Sequence, residues 1–221
     1  MRMRRQWLAG LAVVTVVAAS AGCQPTGTGT DAGRTGAVPP AASPAPASPG
    51  PAGPALPAEA DPARFATQVV ARAHQAGINP TLLMAILYNE SYKPHDPGSE
   101  RAWLNIKPDA ALGVANMHRA TYDQTRRGRD FANRDWQELP DDPDLAIEAA
   151  AWYLHDLANE LPAKSPGTYT RDELLALGYN AGVGNMRAFA RGVPPGAQAQ
   201  SYLDRLRANW PAAEHAVKRS S

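Results

Sequence analysis

At three places in this 221-residue chain an Asp or Asn stands directly before a proline, ahead of a run whose apolar residues recur on one helical face. These are Asp61-Pro62, Asn79-Pro80 and Asp142-Pro143. The side-chain oxygen of the first residue can accept from the unpaired N–H groups of a first helical turn. Proline suits the next position because no N–H is needed there. After Asp61, Phe65, Val69 and Ala73 share a face until Gly77. The second run ends near Glu90, and the third carries Leu145, Ala149, Trp152 and Tyr153 to about Leu161. Thr170 and Glu173 stand three apart, as a capping box requires, ahead of Leu174, Leu175 and Leu177. Further helices are expected over 183–191 and 197–209, with a short one after Pro211. No run alternates β-branched and polar residues, so the expected fold class is all-α.

The first residues read as a leader rather than as part of the fold. Arg2, Arg4 and Arg5 precede an apolar run from Leu8 to Ala19, and small residues then lead to Cys23, the chain's single cysteine. Ala21-Gly22-Cys23 resembles a bacterial lipobox, with Ser20 where that pattern usually has Leu. The resemblance implies a signal peptide over 1–22 and a lipid on Cys23 that holds the chain to a membrane. Residues 23–58, rich in Pro, Ala, Gly, Ser and Thr, offer little to bury and read as a tether. The domain is then 59–221, beyond the cytoplasmic membrane, and a lone cysteine gives it no internal disulfide. Before position 59 the charged residues are Arg2, Arg4, Arg5, Arg34 and Asp31. That leaves 18 basic and 20 acidic residues in the domain, a net of about −2. Nucleic acid is not an expected partner.

Glu90 ends the apolar run Pro80-Thr-Leu-Leu-Met-Ala-Ile-Leu-Tyr-Asn-Glu. A carboxyl beside Ile86, Leu87 and Tyr88 loses solvation, which favours its neutral form and raises its pKa. An acid still protonated near neutral pH can hand a proton to a leaving group. The plainer alternative leaves Glu90 facing solvent at a helix end. From Ser91 to Leu112 the sequence reads as a long loop, with Trp103 and Ile106 expected to pack it onto the body.

Glu90-Ser91, Gly113-Val-Ala-Asn116 and Gly178-Tyr-Asn-Ala-Gly182 resemble, in order and spacing, the three signatures of soluble lytic transglycosylases. That family has a lysozyme-like helical fold, related to goose-type lysozyme, and cleaves the glycan strands of peptidoglycan. The middle signature departs from the pattern. Asn116 stands where the family has Gln, His118 where it has Met and Arg119 where it has Pro, while Thr121 keeps its place.

The resemblance implies that Glu90 alone acts as acid and then base, so that the muramyl C6 hydroxyl closes onto C1 in a 1,6-anhydro end. It also implies that the Tyr179 hydroxyl orients the acid, that Ser91 and Asn116 meet substrate, and that Asn180 secures its turn. Gly113, Gly178 and Gly182 would let backbone approach closely. Neither a cofactor nor a metal is expected, because His74, His95, His118, His155 and His215 are scattered. A monomer is expected. Asp96, Glu100 and Asp109 are the loop acids that could add a second carboxylate. Trp103 is a candidate for stacking on sugar, whereas Trp136, Trp152 and Tyr122 read more readily as core. Three other functions stay open: a hydrolytic muramidase of the same fold, a wall-binding lipoprotein without activity, and a helical scaffold that recruits wall enzymes.

Overall fold

The structure is a computed structural model that describes residues 60–92, 95–162 and 167–220. The expected leader (1–22), Cys23 and the tether (23–58) lie outside the described residues. Within them the chain forms α1 (Ala66–Ala76), α2 (Pro80–Glu90), α3 (Pro97–Leu104), α4 (Arg119–Thr125), α5 (Pro143–Asn159), α6 (Arg171–Ala181), α7 (Val183–Ala190) and α8 (Ala197–Lys218). Short 3-10 turns cover Pro62–Phe65 and Trp136–Glu138, and there is no strand among the described residues. The fold is all-α and lysozyme-like.

The three Asx-Pro devices work as expected. Asp61 accepts from Ala63 N, Asn79 from Thr81 N and Asp142 from Leu145 N. Thr170 and Glu173 complete the capping box of α6.

Every side chain from Leu82 to Leu87 is buried. A helix that is apolar all round needs neighbours on every side. α8 supplies the most extensive contact, and α1, α6 and the Pro62–Phe65 turn supply the rest. Polar side chains fix the order of these layers. Arg72 of α1 bonds Asp144 and Glu148 of α5, with its Nη1 2.7 Å from Glu148 Oε1. Asn79 Nδ2 donates to Asp172 of α6 at 2.7 Å. Asn89 donates to the Tyr202 carbonyl at 3.0 Å and accepts from Asn209 at 2.8 Å, so it is bonded twice to α8. The last turn of α2 is therefore held by polar bonds as well as by apolar contact.

Three expectations fail. The segment over 91–112 is not a plain loop, because it contains α3, started by Asp96-Pro97 in the same manner as the other three. No apolar run follows it, so hydrophobic periodicity does not mark this helix. Nor do Trp103 and Ile106 anchor the segment, since both are exposed, at 51 % and 72 %. The buried residue of α3 is Glu100.

Helix α8 also runs through Pro211 instead of ending before it. An interior proline costs about 3 kcal/mol of helix stability. Ala213, Ala216 and Val217 are buried beyond it, and their burial offsets that cost.

Candidate active site

Glu90 closes α2 and is 9 % exposed. Its Oε1 accepts from the Tyr202 hydroxyl at 3.0 Å, and its Oε2 accepts from Asn116 Nδ2 at 3.1 Å. The same amide nitrogen donates to the Glu90 backbone carbonyl at 3.0 Å. Burial pushes the Glu90 carboxyl above its ordinary value. The bonds from Tyr202 and Asn116 and the charges of His95 and Arg205 pull the other way without cancelling it. The Tyr202 hydroxyl is itself driven well upward by burial, then by the Glu90 charge, so it remains a proton-bearing donor.

The turn that carries Asn116 is held from several sides. Leu112 and Met117 pair as an isolated β-bridge, and Asn116 N donates to Gly113 O at 2.9 Å. Trp136 Nε1 donates to Met117 O at 2.8 Å, and the Tyr179 hydroxyl donates to Ala115 O at 2.7 Å. Gly113 N donates to Glu100 Oε2 at 2.7 Å. Gly113 has φ 71°, and a Cβ there would lie 2.8 Å from the Leu139 carbonyl, so glycine is needed on both counts. Asn116 has φ 46°, a left-handed conformation that Asn tolerates better than most residues.

The sequence-predicted residues divide accordingly. Asn116 meets Glu90 directly, so its amide donor is already committed to the acid. Tyr179 does not bond Glu90; it holds the turn through Ala115, while Tyr202 makes the bond expected of Tyr179. Ser91 caps α2, and its hydroxyl turns back to the Tyr88 carbonyl at 2.8 Å. Asn180 is exposed in the last turn of α6, and the side-chain bond at that junction comes instead from Asn185 to Ala181 O at 2.8 Å. Gly178 faces Met186 of α7, and Gly182 joins α6 to α7 at φ 84°, ψ 162°, a conformation open to glycine. Trp136 and Tyr122 are core, as expected.

Sequence reasoning missed Tyr202. The available signal was its place among Ala199, Leu203 and Leu206 on the buried face of α8, where a hydroxyl needs a partner. Of the loop acids, Asp96 caps α3 in the open, whereas Glu100 is 5 % exposed. His118 Nδ1 lies 2.8 Å from the Asp109 carbonyl. No cluster of three His, Cys, Asp or Glu side chains suited to a metal occurs among the described residues.

The described domain is lysozyme-like and helical, and in it the buried carboxyl of Glu90 meets two hydrogen-bond donors. Residues 68–196, more than half of the chain, match the profile of the Transglycosylase SLT domain, and the chain belongs to that family. Its members are transglycosylases whose substrate is peptidoglycan. A search among curated proteins finds no match to the chain.

Proposed function

We propose that the protein is a lytic transglycosylase that cleaves the MurNAc–GlcNAc β-1,4 bond of peptidoglycan without consuming water. The observation that carries this reading is the environment of Glu90: a largely buried carboxyl with Tyr202 on one oxygen and Asn116 on the other.

The neutral acid gives its proton to the glycosidic oxygen as the C1–O4 bond breaks, and the freed GlcNAc hydroxyl leaves. Tyr202 and Asn116 then stabilise the carboxylate that remains, because hydrogen bonds to a charged acceptor are the stronger kind. That carboxylate takes the proton of the muramyl C6 hydroxyl as O6 bonds to C1. The anhydro end forms and Glu90 is neutral again. A pKa raised toward the working pH suits both halves of the cycle.

A retaining hydrolase places a second carboxylate about 5 Å from the first. Both oxygens of Glu100 are engaged, with His95 and with Gly113 N, which favours a single working carboxyl.

Activity on purified sacculi tests the reading. Wild-type protein releases soluble muropeptides and Glu90→Gln does not; equal release by both would refute it. We further propose that a signal peptide over 1–22 is removed, that Cys23 carries the membrane lipid, and that 23–58 tethers the domain 59–221, which works as a monomer. Expressed in a bacterium, the chain then partitions with membranes, and Cys23→Ser moves it to the soluble exported fraction. An unchanged partition would contradict the anchor.

A further inference from the structure

Glu100 is the buried residue on α3, an otherwise half-buried or exposed helix that carries Trp103 in the open. Burying a carboxylate is costly unless its oxygens are well bonded. Oε2 accepts from Gly113 N at 2.7 Å, and Oε1 lies 2.9 Å from His95 Nδ1. The other ring nitrogen, His95 Nε2, lies 3.3 Å from the backbone carbonyl of Glu90. Both partners of the ring are acceptors. With Glu100 ionised, both contacts are hydrogen bonds when both ring nitrogens carry hydrogen. A cation on the final carbonyl of α2 is also favoured by the helix dipole. One carboxylate thus ties together the end of α2, the entry to α3 and the Gly113–Asn116 turn.

We propose that His95 and Glu100 are positioning residues for Glu90. Glu100 seats the turn that places Asn116 Nδ2 on the acid, and His95, held by Glu100, brings a positive charge to the end of α2. The claim that this matters for turnover rests on Glu90 being the acid/base. The clamp itself does not. Other groups also face Glu90 and set its charge balance: Tyr202 and Arg205 from α8, Tyr179 from α6, Asn116 from the turn and Tyr92 just beyond α2. Of these, Arg205 is the other cation, so removing His95 leaves a measurable deficit.

The test uses the full chain in four variants: His95→Gln, Glu100→Gln, Glu100→Ala and, as a control on the exposed face of α1, His74→Gln. Three quantities are read: the Glu90 titration midpoint by carbon-13 NMR, the Gly113 amide exchange rate, and kcat with KM on sacculi. In His95→Gln the Glu90 midpoint moves upward and kcat falls about tenfold, the size of one hydrogen bond, with KM little changed. In Glu100→Ala the Gly113 amide exchanges about tenfold faster, and Glu100→Gln, which keeps an acceptor, restores part of the protection. The control moves none of the three.

An unchanged Glu90 midpoint and kcat in His95→Gln would overturn the proposal. If Glu100→Ala does not fold, His95→Gln and Glu100→Gln decide it. A wild-type chain that releases no glycan fragment would remove the transglycosylase reading, and the two spectroscopic measurements would still decide the clamp.

Discussion

The hydroxyl of Tyr202, on α8, lies 3.0 Å from Oε1 of Glu90, although 112 positions separate the two residues. The bond crosses the most extensive helix–helix contact of the fold, so the packing of α2 against α8 also orients the acid. Tyr202→Phe removes the donor and keeps the ring. Hydrogen bonds to charged groups contribute about 1.5–3 kcal/mol, so kcat should fall between about tenfold and a hundredfold with the fold intact. The Glu90 pKa should rise, because the lost bond favoured the ionised form. Steady-state kinetics and an NMR titration check both, and wild-type kinetics in this variant would show that the bond is incidental.

Asn116 offers a charge test at the other oxygen. Asn116→Asp puts a second carboxylate where a donor stood, 3.1 Å from Glu90 Oε2. Like charges this close cannot both ionise easily, so the Glu90 pKa rises further. The limb of the pH–kcat/KM profile that belongs to the acid should move to higher pH, and the maximal rate should fall because the carboxylate left after proton transfer has lost a donor and gained a like charge. A profile that stays in place would contradict the direct contact.

Stability should depend on Glu90 in a definite direction. Its folded-state pKa is raised, so the folded protein holds the proton more tightly than the unfolded chain. The stability that this affinity confers is fully present below the unfolded value of 4.5 and is lost as pH rises through the folded value. Glu90→Gln mimics the neutral acid at every pH. At neutral pH the variant should melt above the wild type, with the gap closing in acid, while activity falls by at least ~100-fold. Melting curves from acid to neutral pH check this. A variant less stable at neutral pH would mean that the carboxylate is well solvated.

The Arg72 cluster should be structural. Glu148 is buried, and desolvation raises its pKa while Arg72 draws it down. Arg72→Met leaves that carboxyl without its cation and should cost about 3 kcal/mol, from the cost of breaking a buried pair. Denaturant unfolding measures the loss, and kcat of the folded fraction should not change.

Much of this arrangement was legible in the residue order. Helix starts are local events, and Asp61, Asn79, Asp142 and Thr170 announce theirs within three residues. The burial of Glu90 was legible only as one of two readings, because an acid at the end of an apolar run can also face solvent, and the packing of α8 on α2 decides between them. Partners were less so. Tyr179 and Tyr202 are both tyrosines on apolar helix faces, and only the packing of α8 on α2 decides which one reaches the acid. Helix α3 was obscured because its buried face is a single carboxylate, Glu100, which no apolar periodicity reports. Helix α8 continues through Pro211 because of tertiary contacts that lie beyond the reach of local rules.

The most direct measurement is the mass of the glycan ends released from purified sacculi by wild-type protein. A single carboxyl acting as acid and then base predicts muramyl ends one water lighter than reducing ends, and none from Glu90→Gln. Reducing ends from the wild type, or anhydro ends from Glu90→Gln, would contradict the account.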